Sequence, residues 1–172
     1  MSVTYRRGRV ADAAALASFA SRAFTDTYAE HNTAEDMREY LASAFGVEQQ
    51  TRELTNPDMI TVLAESGGEI VGYSQLLRRA SAAVAAFEAP IEIYRFYVDR
   101  SAHGTGVAQQ LMKDALAAAR DLGGRHAWLG VWERNPRAIA FYRKCGFEDV
   151  GTQIFELGTD RQTDRVLVMP IG

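Results

Sequence analysis

The sequence predicts a mixed α/β fold, a central sheet flanked by helices, as one domain spanning residues 1–172. Three observations carry this. Segments with apolar residues at helical spacing alternate with short β-rich runs. The apolar run Ile91 to Val98 passes through a glycine-rich turn into the helical segment Val107 to Leu122, then on to a second run, Ala127 to Trp132. A strand, a crossover helix and a strand in that order pair in parallel. Other runs lie close enough to fold back on each other as antiparallel pairs, so the sheet is mixed.

Val3 to Arg9 reads as a short first strand. A helix follows, with Leu16, Phe19, Ala20, Ala23 and Phe24 on one face. Thr33 can cap the next helix, with Asp36 as the reciprocal partner of a capping box and Met37, Tyr40, Leu41, Ala44 and Phe45 as its apolar face. Gly46 ends it, and Val47 to Leu54 forms one more short helix. Met59 to Glu65 and Glu69 to Leu77, joined by Ser66-Gly67-Gly68, read as a hairpin. Ala80 to Pro90 is a loop with at most a helical turn. Ile91 to Val98 is apolar enough for a central strand covered on both faces. The helix after it stops at Gly123-Gly124. Asn135-Pro136 starts the last helix, since Asn is a preferred N-cap and Pro suits the first helical position. That helix ends at Gly146, and Phe147 to Glu156 with Thr163 to Met169 close the sheet as an antiparallel pair.

Composition narrows the function. A formal net charge of −3 lacks the basic footprint that nucleic acid requires. The single Cys145 rules out an internal disulfide and fits a reducing compartment, so the expected location is cytoplasmic. The alanine-rich runs after Arg9 and after Arg79 are too short or too interrupted to be a membrane span or signal peptide, and no membrane partner is expected. His31 and His126 have no ligand-like spacing, so no metal is implied.

The residues His103-Gly104-Thr105-Gly106-Val107-Ala108 leave a strand and open a helix. Unpaired amides there, with the positive end of the helix dipole, make a phosphate site, and glycine lets the phosphates approach the backbone. The turn fits neither a dinucleotide fold, which would place it after the first strand, nor a P-loop, because Val107-Ala108 stands where Lys-Ser or Lys-Thr is needed. The second cluster is Trp128-Leu129-Gly130-Val131-Trp132-Glu133-Arg134-Asn135-Pro136, continuing through Ala138-Ile139-Ala140-Phe141-Tyr142-Arg143-Lys144-Cys145-Gly146-Phe147.

With both clusters in this order, the chain resembles the GNAT superfamily of acetyl-CoA-dependent N-acetyltransferases. The family turn, Gln/Arg-x-x-Gly-x-Gly/Ala, is met by His103, Gly106 and Ala108, with His103 departing from the usual Gln or Arg. The family's Asn-headed helix is met by Asn135 and by Ala138 to Phe147. Phe24 to Tyr28, Tyr40 to Phe45, Trp128 to Asn135 and Gln162-Thr163-Asp164 look similar to the PaiA-like polyamine acetyltransferases.

The resemblance implies splayed parallel strands holding acetyl-CoA as cosubstrate. The amides of His103, Gly104, Thr105, Gly106, Val107, Ala108 and Gln109 would hold its pyrophosphate. Phe96, Tyr97, Val98, Asn135 and Lys144 would border its arm, with the Val98 N–H on the thioester carbonyl and Gly130 leaving the arm uncrowded. Tyr142 would protonate the departing thiolate. The acceptor would be a small primary amine such as spermidine or spermine, attacking directly in a ternary complex, with Phe24, Tyr28 and Tyr94 along its path. Strand alternation sets Glu92, Tyr94, Phe96 and Val98 on one face and Ile91, Ile93, Arg95 and Tyr97 on the other, which makes Glu92 a candidate base. Asp26, Glu30, Glu35, Asp36 and Glu39 would draw in a polyamine if they rim the cleft. A protein N-terminal or lysine acetyltransferase, or a non-catalytic acyl-CoA-binding module, fits the same motifs, and a homodimer is compatible with the sequence.

Overall fold

In the computed structural model, which describes residues 2–172, seven strands form one sheet. They are β1 (Val3–Arg7), β2 (Met59–Ser66), β3 (Glu69–Leu77), β4 (Pro90–Val98), β5 (His126–Trp132), β6 (Glu148–Leu157) and β7 (Asp160–Pro170). The helices are α1 (Ala13–Tyr28), α2 (Ala34–Ala44), α3 (Val47–Thr55), α4 (Val107–Asp121) and α5 (Pro136–Cys145). The strand order is β1-β2-β3-β4-β5-β7-β6, and only β4 and β5 run parallel. The last hairpin therefore inserts its second strand beside β5 and leaves β6 at the edge.

Two apolar layers cover the sheet. On one face Leu111, Met112, Ala115 and Ala119 of α4, with Tyr142 of α5, pack on Val62, Leu76, Ile91, Ile93 and Leu129. On the other, Leu16, Phe19 and Phe24 of α1 and Met37 of α2 pack on Leu63 and Tyr73. Capping residues set the helix ends as their types demand. The Thr33 hydroxyl accepts from the Asp36 N–H at 3.1 Å and the Asn135 side chain from the Ala138 N–H at 3.2 Å. Gly146 closes α5 at φ +106°, a conformation that favours glycine.

Three expectations need correction. The Asp36 carboxylate does not complete a capping box. It accepts the Thr159 N–H at 2.9 Å and its hydroxyl at 3.2 Å, pinning the β6–β7 turn onto α2. Gly46 has φ −65° and caps the start of α3 instead of turning left-handed after α2. The alternation along β4 is broken, because Gln75 pairs with Arg95 while the next residue, Leu76, pairs with Ile93, leaving Tyr94 as a bulge. The extra residue exchanges the faces beyond it. Phe96 and Val98 therefore join Ile91 and Ile93 on the α4–α5 side. Arg95 and Tyr97 point toward α1–α3, where Arg95 meets Glu53 and Tyr97 packs in the second layer.

Candidate active site

The last residue pair joining β4 to β5 is Glu92 with Trp128. Past it the strands part beside the Tyr94 bulge, and a cleft of about 800 Å³ opens between them, a volume suited to a large organic ligand. Ile93 to Val98 form one wall and Leu129 to Trp132 the other, with the end of α1, the glycine turn and α5 completing it.

Past Glu92 this edge of β4 has no strand partner. The Asp99 N–H donates to the Val71 carbonyl at 2.8 Å across the β3–β4 pair. By strand alternation the amides of Phe96 and Val98 point the opposite way, into the gap. His103 Nε2 bonds the Val98 carbonyl at 3.0 Å, so this imidazole ties the glycine turn to the strand end.

The turn itself is built from left-handed Gly104 (φ +77°) and Gly106 (φ +90°), with no atom within 4 Å of either missing β-carbon. The His103 N–H donates to the Arg100 carbonyl and the Thr105 N–H to the Ala102 carbonyl. Both amides are therefore engaged, which removes them from the expected phosphate set. The first helical bond beyond the cap runs from the Gln110 N–H to the Gly106 carbonyl at 3.1 Å. Gly104, Gly106, Val107, Ala108 and Gln109 are thus left to offer free donors at the helix start. The Val107 side chain is buried in the core, so that residue presents main chain alone. Arg100, Arg137 and Lys144 also line the cleft and bring positive charge to it.

Asn135 uses its Oδ1 as the α5 cap, which leaves its Nδ2 to donate into the cleft it lines. Tyr142 is buried edge-on against Phe141 at 5.5 Å, Phe147 at 6.0 Å and Phe96 at 6.1 Å. Burial pushes its phenol well above the usual value of 10, so the proton stays on at any working pH.

A side pocket of about 100 Å³ branches toward α1 and α2. Tyr28, Tyr94, Tyr97 and Gly130 line both it and the main cleft. Phe24 packs at a tilt on Tyr28 at 4.5 Å and stacks on Tyr40 at 4.7 Å to build its wall. Glu92 borders this pocket, not the main cleft. It is only 5% exposed, burial raises its carboxyl, and Arg79 Nε lies 2.6 Å away. Asp26 and Glu30 line the main cleft, whereas Glu35, Asp36 and Glu39 do not.

Two features were not anticipated from the sequence. Gly130 also makes room for neighbouring side chains, since a β-carbon there would stand 2.5 Å from Gln153 Nε2 and 3.0 Å from Asp164 Oδ2. Asp164 itself emerges as a pocket residue. A sequence signal existed: on β7, Gln162, Asp164, Val166 and Val168 alternate as the buried set, and an acid within such a set is unusual.

Residues 16–147 match the acetyltransferase (GNAT) family. An uncharacterised N-acetyltransferase of Mycobacterium tuberculosis is 34% identical over 157 residues, covering 91% of this chain and 96% of the relative. The N-alpha-acetyltransferase RimI of the same organism is 36% identical over 100 residues, 58% of this chain and 59% of the relative. Among solved structures, the PaiA N-acetyltransferase of Thermoplasma acidophilum in complex with coenzyme A superposes with a TM-score of 0.74 over 99% of both chains at 18% identity.

Proposed function

Because the chain belongs to the GNAT acetyltransferase family, we propose that it moves an acetyl group from acetyl-CoA to a primary amine, a polyamine such as spermidine above all, by direct attack while both substrates are bound. Acetyl-CoA supplies an activated acetyl thioester on a long amide-bearing arm that ends in a pyrophosphate. The observation that carries the reading is the unpaired main chain: five free amides at the start of α4 and the open β4 edge at Phe96 and Val98.

The residues present fit that cosubstrate. The amides of Gly104 and Gly106 to Gln109 hold the pyrophosphate, helped by the α4 dipole. The β4 edge takes the arm as it would take a strand, and Asn135 Nδ2 donates to the arm. The Val98 N–H polarises the thioester carbonyl. Tyr142 donates its hydrogen to the departing sulfur. A phenol held above 10 is a weaker acid than a thiol, so it stabilises the thiolate by hydrogen bonding until a proton arrives from the amine. Glu92 is committed to Arg79 and is not assigned the role of base.

The acidic side chains of Asp26 and Glu30 on the cleft wall favour a cationic acceptor. A second reading, acetylation of protein N-termini, is supported by the similarity to RimI. The deciding measurement is release of coenzyme A thiol with spermidine, spermine and n-propylamine set against peptides bearing free N-termini. Turnover with peptides alone would overturn the polyamine reading.

A further inference from the structure

Three ionised side chains border the aromatic side pocket, and two already have counter-ions. Glu92 pairs with Arg79 at 2.6 Å. Arg95 pairs with Glu53 at 2.6 Å and also donates to Gln75 at 2.7 Å. The third, Asp164, is only 8% exposed. Among the described residues no hydrogen-bond donor or cation contacts its carboxylate, and the neighbouring Glu133 repels it. A buried carboxylate without a counter-ion is costly, and such groups concentrate at sites that receive a charged partner.

Its position is as specific as its isolation. Asp164 stands on β7 between Trp132 of β5 and Gln153 of β6. Its Oδ2 lies 3.0 Å from where a Gly130 β-carbon would be, two residues past the point where β4 and β5 part. The rings of Phe24, Tyr28, Tyr40 and Tyr97 face the same pocket. Aromatic faces around a carboxylate recognise an alkylammonium, and about 100 Å³ admits such a head group with a short methylene stem.

We propose that Asp164 is the anion that binds the acceptor's primary ammonium in this pocket and the base that takes its proton. The inference rests on the amine-acceptor reading above. One proton passes from the ammonium nitrogen to a carboxylate oxygen. The freed lone pair forms the bond to the acetyl carbon as the carbon–sulfur pair leaves with sulfur. The second proton on nitrogen reaches that sulfur through the Tyr142 hydroxyl. Burial and Glu133 raise the Asp164 carboxyl to about 6, which brings it closer to an amine in basicity while leaving it ionised above neutrality. The other groups facing it are Tyr28 of α1, Tyr40 of α2, Tyr97 of β4 and the two ion pairs just named. His31 packs on the Trp132 ring nearby at 4.9 Å.

The test is the pH profile of kcat/KM for spermidine in wild type, Asp164→Asn and His31→Gln, with acetyl-CoA affinity measured by calorimetry. Asp164→Asn is expected to lower kcat/KM at least 100-fold, keep acetyl-CoA affinity within about twofold, and lose an acid limb near pH 6 that His31→Gln retains. Gly130→Ala, whose added carbon meets Asp164 Oδ2, is expected to raise KM for spermidine with the limb still present. An Asp164→Asn enzyme within threefold of wild type, or one that keeps the limb, overturns the role of Asp164 and leaves the amine reading intact. A wild type that acetylates peptides but neither spermidine, spermine nor n-propylamine overturns both.

Discussion

Replacing Asp164 with asparagine should stabilise the folded protein above neutrality, independently of any effect on catalysis. The folded carboxyl is raised from 3.8 to about 6 by burial and by Glu133, so the native state binds this proton more tightly than the unfolded chain does. Stability therefore falls as pH rises between those two values and is flat above them. The full penalty at pH 8 is ~3 kcal/mol at 1.36 kcal/mol per pH unit. Burying the asparagine amide without partners returns about 1 kcal/mol of that. The net gain of ~2 kcal/mol corresponds to roughly 4–8 °C in Tm for a chain of this size. Thermal unfolding followed by circular dichroism at pH 4, 5, 6, 7 and 8 reads this directly. The variant should be slightly less stable than wild type at pH 4, cross it between pH 4 and 5, and pull ahead progressively to pH 7. A variant no more stable than wild type at pH 8, or a difference that does not change with pH, would refute the claim that this carboxylate is isolated.

Three further outcomes follow from the site and the core. Tyr142→Phe keeps the ring contacts with Phe96, Phe141 and Phe147 and removes only the hydroxyl. It should lower kcat by about 100-fold, ~2.7 kcal/mol, with acetyl-CoA affinity unchanged in calorimetry; weakened affinity with normal turnover would contradict the assignment. Gly106→Glu places a bulky anion at a φ of +90° beside the free amides, and should abolish detectable coenzyme A binding while the protein still melts cooperatively. Glu53→Ala strips the buried Arg95 guanidinium of its counter-ion and should cost about 3–5 kcal/mol in urea unfolding; a loss under 1 kcal/mol would show that Gln75 satisfies Arg95 alone.

The legible part of the molecule was whatever local chemistry dictates. Gly104 and Gly106 adopt the left-handed angles that only their lack of a side chain makes easy, and Asn135-Pro136 caps α5 as that dipeptide's geometry requires. The parallel β4–β5 pair follows from a helical crossover of fixed hand. Tyr142, Asn135, Val98 and the glycine turn line one cleft or its rim, as the family resemblance implied. The faces of β4 were grouped wrongly because one inserted residue, Tyr94, reverses every side chain beyond it and sets Glu92 with Arg95 and Tyr97 instead of with Phe96 and Val98. A bulge arises from how two strands match each other, and the alternation within either strand alone does not reveal it.

By itself, then, the sequence determined the order of elements, the glycine turn and the family, because turns, caps and helical stripes depend on neighbours a few residues apart. Only the tertiary structure decided which carboxylates have partners. Arg79 reaches Glu92 across 13 positions and Arg95 reaches Glu53 across 42, while the insertion of β7 beside β5 leaves Asp164 facing an aromatic pocket with no cation paired to it among the described residues. Charge compensation in a buried site is a property of distances between remote segments, and those distances exist only once the chain has folded.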